Sequence, residues 1–299
     1  MDLATTRQDG RGQHGTFERV DLLDARQFQI VVRRLADSLN YGTDRSPFLG
    51  SGIEYAQSRV YQPGDPVRDI DWRVSARTGR FFVKEYETPK CMPVYLIVDT
   101  SASMTVSSVA GNSKYKTALH LAGGLALAAL ERVSPVGVVG VGERNLKLEP
   151  SLSKSQIMQW MLALRRFRFD EQTTLDLRLT ELTPSLKSRV LVIVLSDLHD
   201  PRAIRALKRL AQVHDCAVIQ LQDPAERDLR GAGLVRAREA ETGHEFATHG
   251  RRQHLDQTAL EARLRRNGID HLCLDIARPY LAGVRRFVSS RGLLGKVAR

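Results

Sequence analysis

From residue 93 onward, short unbroken apolar runs alternate with longer amphipathic stretches. The runs "PVYLIVD" (93–99), "PVGVVGVG" (135–142), "RVLVIVLSD" (189–197), "CAVIQLQD" (216–223) and "HLCLDI" (271–276) predict strands buried on both faces. Between them, 114–133, 153–167, 174–186, 201–214, 252–266 and 279–290 predict helices. In 153–167, Ile157, Trp160, Met161 and Leu164 share one helical face. Pro201 suits the first turn of its helix, and a hairpin is expected around Gly231–Phe246. Apolar strands alternating with helices imply an α/β fold with a doubly wound, mostly parallel sheet covered on both sides.

Before residue 93 the pattern is different. Residues 1–19 are polar and read as a disordered arm. Residues 20–49 read as one amphipathic leading helix (20–39) followed by a linker rich in Gly, Pro, Asn and Ser. Residues 50–92 read as a small β-rich insert, with strand-like runs at 53–61 and 81–87 around a Pro63–Gly64 turn. Residues 93–299 then form the main domain.

Composition narrows this little. Over 299 residues, 42% hydrophobic and 26% charged residues are ordinary for a globular chain. A net charge of +11 admits acidic partners, but Lys and Arg are scattered, and a solvated basic surface is the simpler reading. Neither a nucleic-acid reader motif nor an aromatic platform accompanies the charge. Cys91, Cys216 and Cys273 are far apart and form no CxxC, which fits a reducing compartment. The start of the chain lacks the apolar core of a signal peptide. The longest apolar stretch, "LAGGLALAAL" (121–130), is about half a membrane span. A cytoplasmic chain with no membrane span is expected.

The candidate chemistry lies at strand ends. Asp99 ends one apolar run, and Ser101 and Ser103 follow at alternate positions. Asp197 ends another, and Thr173 and Thr174 open a helical segment between the two. In such folds ligands sit beyond the carboxyl ends of the strands. Two carboxylates and several hydroxyls are hard oxygen donors, suited to Mg²⁺ and sometimes Mn²⁺. A capped turn would use the same residue types, but the ordered set favours an ion.

These residues resemble the metal-ion-dependent adhesion site of von Willebrand factor A (vWA) domains. The resemblance implies Asp99, Ser101, Ser103, one of Thr173 and Thr174, and Asp197 as holders of a divalent cation, Asp197 acting through water. Thr173 is preferred because "T-x-L" then falls as in that family, although Glu171–Gln172 stand where the family has glycine. The stretch "RVYQPGDPVRDIDWRVSARTGR" (59–80) resembles the signature of a bacterial family catalogued as domain of unknown function 58. That second resemblance implies a partnership with MoxR-type AAA+ ATPases. Many members carry two membrane spans, so this chain resembles a soluble subgroup.

Hydroxyl ligands are neutral, so an ion held mainly by them keeps positive charge and open positions for a partner's Asp or Glu. The expectation is therefore a Mg²⁺- or Mn²⁺-dependent module that binds proteins presenting acidic residues, not an enzyme. The alternative is a Mg²⁺-dependent phosphohydrolase with Asp99 as nucleophile. Arg59, Tyr61, Asp65, Arg68, Asp69, Asp71, Trp72 and Arg77 read either as a partner surface or as an ion-pair network locking the insert in place. "HEFATH" (244–249) has the wrong spacing for a zinc protease helix, and "SLSK" (151–154) reads as a helix cap. His199, His120 and His214 read as surface or packing residues.

Overall fold

The computed structural model describes residues 7–8, 13–16, 54–87, 92–144, 146–168, 170–227, 234–238, 240–241, 245–249 and 256–290. The leading helix and linker expected at 20–49 lie outside the described residues.

The first described elements are short strands, β1 (Arg7–Gln8) and β2 (Gln13–Thr16), paired antiparallel. Both lie within residues 1–19, the stretch read as an arm. β2 also pairs with Arg166–Arg168, far along the chain. An open strand edge elsewhere in the fold can order a polar segment through backbone bonds alone, and composition does not register that.

Next come β3 (Glu54–Val60), helix α1 (Trp72–Thr78) and β4 (Phe82–Glu87). β3 and β4 form an antiparallel pair. The helix was not anticipated within the β-rich insert, yet its signals are local. Asp71 accepts the N–H groups of Arg73 and Val74 at the N-terminus, and Gly79 ends the helix at φ 69°.

The main domain runs β5 (Val94–Val98), α2 (Lys114–Glu131), β6 (Val136–Gly140), β7 (Lys147–Ser151), α3 (Lys154–Leu164), β8 (Arg166–Arg168), α4 (Leu175–Ser185), β9 (Leu191–Ser196), α5 (Pro201–Val213), β10 (Asp215–Gln222), β11 (Leu234–Arg238), β12 (Glu245–His249), α6 (Gln257–Arg266), β13 (Asp270–Asp275) and α7 (Leu281–Ser290). The six-stranded sheet has the order β13-β10-β9-β5-β6-β7. All its pairings are parallel except β6–β7. β7 was not read from the sequence. It is a polar edge strand and accommodates Pro150 where a central strand would not.

Alternation along the strands divides the core into two layers. Val94, Leu96 and Val98 of β5 join the cluster under α2, α3 and α7, while Tyr95 and Ile97 join the one under α4, α5 and α6. The fold is doubly wound. α2 is apolar nearly all round because most of it is buried, not because it crosses a bilayer. No helix among the described residues is long and apolar enough to cross a membrane. β11 and β12 pair antiparallel, so residues 245–249 of "HEFATH" form a strand, and Ser153 caps α3 as expected of the "SLSK" stretch.

Candidate metal centre

β5 has β6 on one side and β9 on the other, so the chain reverses its direction of travel across the sheet at this strand. A crevice opens at such a point, beyond the carboxyl ends of the strands. Val98 lies opposite Leu195, and the Asp99 N–H donates to Leu195 O at 2.9 Å. This register brings Asp99 and the end of β9 together although nearly a hundred residues separate them.

The side chains here form one continuous polar chain. Asp99 Oδ1 accepts the Ser101 N–H (3.1 Å) and Oδ2 accepts the Ser196 hydroxyl (2.6 Å). The Ser101 and Ser103 hydroxyls bond each other at 3.0 Å, and Ser103 Oγ donates to Asp197 Oδ2 at 2.9 Å. Asp99, Ser101 and Asp197 are almost wholly buried, at 2%, 0% and 3% exposure. Four of the five expected ion ligands are thus brought into one hydrogen-bonded group.

Two buried carboxylates this close cannot both be comfortable without help. Burial, then the charge of Asp197, pushes Asp99 up to about 7. Burial also opposes ionised Asp197, but Lys114 and His199 outweigh it and hold Asp197 well below the usual carboxylate range. Lys114 Nζ lies 2.8 Å from Asp197 Oδ2 and also pairs with Glu226. His199 Nδ1 lies 3.1 Å from the same oxygen, and the carboxylate raises its pKa. Reading His199 as a surface or packing residue is therefore incomplete, since it contacts an expected ligand. Lys114 and Glu226 carried no signal beyond ordinary charge. Lys114 opens a helix and Glu226 sits on the one-turn helix Pro224–Arg227, so only the fold aims them at Asp197.

The second loop is held by Glu171, where a glycine was expected from the resemblance. Its buried carboxylate accepts from Thr100 Oγ1 (3.2 Å), the Arg144 N–H (3.0 Å) and Arg144 Nε (2.8 Å). Its carbonyl accepts the Ala102 N–H at 2.7 Å, pinning this loop to the one bearing the serines. A Cβ on Gly142 would overlap Glu171 Oε1 and Thr100 Oγ1, so this close approach requires glycine there.

The two threonines now differ. Thr174 Oγ1 donates to Gly142 O at 2.8 Å, a bond that fastens the loop. Thr173 Oγ1 is shielded from solvent and has no hydrogen-bond partner among the described residues. A buried orphan hydroxyl is costly, and an ion ligand is one way to satisfy it. Thr173 is outside the chain of bonds joining the other four.

The donor set fits a hard divalent cation. Asp99, Ser101, Ser103, Thr173 and Asp197 all offer oxygen, as Mg²⁺ and Mn²⁺ prefer. Among the described residues, Asp197 Oδ1 accepts only a long bond of 3.4 Å, from the His199 N–H. Asp197, His199 and Glu226 could themselves place three ligand atoms within 4.8 Å of one another.

The residues of the 59–80 stretch are spread over local tasks. Arg59 and Asp65 form a two-pronged ion pair at 2.7 Å, and Asp65 also accepts the Gln62 N–H. Asp71 caps α1 and accepts from Ser58. Tyr61 and Trp72 both meet Phe81 edge to face. Trp72 nonetheless remains 61% exposed and the Arg68 side chain 86% exposed.

Comparison with known proteins agrees with the signature. The family described as "Protein of unknown function DUF58" matches residues 57–267. Uncharacterised proteins of Mycobacterium bovis and Mycobacterium tuberculosis are each 27% identical over 285 residues, covering 89% of this chain and 88% of theirs. The uncharacterised protein YeaD of Bacillus subtilis is 28% identical over 94 residues, 31% of this chain and 24% of its own. Among solved structures, the Deinococcus radiodurans RO (RSR) protein superposes at a TM-score of 0.33 with 17% identity; 92% of this chain spans 50% of that one.

Proposed function

We propose that this chain, which belongs to the DUF58 family, is a divalent-cation-dependent protein-interaction module of von Willebrand factor A type. Asp99, Ser101, Ser103, Thr173 and Asp197 would hold Mg²⁺ or Mn²⁺, and the bound ion would supply a positive acceptor for a carboxylate of another protein. The observation that carries the reading is the bonded chain Asp99–Ser101–Ser103–Asp197, assembled from two adjacent strand ends. The orphan hydroxyl of Thr173 supports it from the second loop.

The residues' own work is to orient and to exclude water. Ser196 and the Ser101 N–H fix the Asp99 carboxylate, and Glu171 clamps the serine loop to the threonine loop. The partner would be a protein presenting acidic residues, and the family resemblance points to a MoxR-type AAA+ ATPase in the assembly or maturation of other proteins. The basic balance of the chain would assist encounter with an acidic surface. Arg68 and Trp72 are among the exposed residues of the signature stretch and would flank such a contact. A phosphohydrolase with Asp99 as nucleophile is less favoured, because both Asp99 oxygens already accept bonds from the protein.

Calorimetry with Mg²⁺ and Mn²⁺, on wild type and on Ser101→Ala/Ser103→Ala, tests the site. Saturable binding that the double variant loses is the expected result. Folded wild type that binds neither ion, with or without the candidate ATPase, would remove the reading.

A further inference from the structure

One buried charge lies against the ion site without being a ligand. Lys114 is the first residue of α2, with only 1% of its side chain exposed. Burial penalises an ammonium, and the first turn of a helix carries positive partial charge, so its position is doubly unfavourable. Two carboxylates from different loops offset this. Asp197 follows β9, and Glu226 follows β10. Nζ lies 2.8 Å from Asp197 Oδ2 and donates to Glu226 Oε1 as well. The Glu226 side chain is itself placed by the Asp223 N–H on its other oxygen, at 3.2 Å.

Asp197 is loaded unevenly. Oδ2 is contacted by Ser103, Lys114 and His199, while among the described residues Oδ1 has the single long bond from the His199 N–H.

We infer that Lys114 is a tethered cation that competes with the divalent ion for Asp197. Without the ion its ammonium bridges Asp197 and Glu226. When an ion engages Asp197, the ammonium stays with Glu226 alone. Lys114 thereby keeps ion-free Asp197 neutralised and sets a threshold for loading, and Glu226 lowers that threshold by giving the displaced ammonium a partner. The inference rests on the ion-site reading above and concerns how that site is regulated.

The test is Mn²⁺ and Mg²⁺ calorimetry on the full chain with two variants of opposite expected sign. Lys114→Met removes the competitor and should bind about tenfold more tightly than wild type, and Glu226→Gln strands the displaced ammonium and should bind about tenfold more weakly. A merely structural role would weaken both. Lys114→Met binding no tighter than wild type, or Glu226→Gln binding no weaker, overturns the inference while leaving the ion site standing. If Lys114→Met fails to fold, judged by thermal melting, Glu226→Gln alone decides by its sign. If folded wild type and both folded variants bind no ion, the ion-site reading falls and takes this inference with it.

Discussion

Two charged regions of this chain carry recognisable motifs and use them differently. In the 59–80 stretch most charges lie near the surface and act locally: Arg59 pairs with Asp65 six residues away, and the more buried Asp71 caps the helix that follows it. At the ends of β5 and β9 the charges are buried, and their partners come from distant parts of the chain. Charges in water are screened and contribute little individually, whereas buried ones must be matched or neutralised. The first region therefore reads as scaffold with an exposed rim. The second is a poised site, where each group alters its neighbours.

The contrast predicts unequal responses to mutation. The largest effect is expected for Asp197→Ala. It strips a buried partner from Lys114 and His199, should cost about 3–5 kcal/mol in urea unfolding, and should abolish ion binding. An unaltered midpoint would mean the pair is not buried as described. Gly142→Ala should come next, at about 1–3 kcal/mol, because its Cβ meets the Glu171 carboxylate and overpacks the clamp between loops. The same denaturation series measures it.

A pH titration sharpens the comparison without mutation. Asp99 is raised from 3.8 to about 7 by burial and then by Asp197. Between those values the folded, ion-free protein holds a proton that the unfolded chain has released. This group's contribution to stability is therefore present at low pH and lost as pH rises through about 7. An ion requires the carboxylate ionised, so its affinity should fall about tenfold per pH unit below about 7 and level off above. Calorimetry in buffers of different ionisation enthalpy counts the proton released; no release would separate Asp99 from the ion. The smallest effect should come from the scaffold. Asp71→Ala removes a helix cap and should lower the melting temperature by a few degrees, with ion affinity unchanged.

Much of the fold was readable because its signals are local. Doubly buried strands must be apolar throughout, so β5, β9 and β10 stand out as runs, and the helices between them follow by period. β7 escaped because a polar edge strand has no such run, and α1 because its cap lay between two strand-like runs of an insert read as β-rich. β2 escaped because one of its two pairing partners is more than a hundred residues away.

The candidate site divides in the same way. Residue type and order alone marked Asp99, Ser101, Ser103, Thr173 or Thr174, and Asp197, since strand-end position and hard oxygen chemistry are both written in the chain. Tertiary structure was needed to separate Thr173 from Thr174, by giving one hydroxyl a carbonyl and leaving the other shielded and unpartnered among the described residues. It also put Glu171 in the position of a clamp and brought Lys114, His199 and Glu226 together around Asp197. The reason is physical: a residue's type can be read locally, but its charge state and partners depend on burial and on groups that only packing brings within reach.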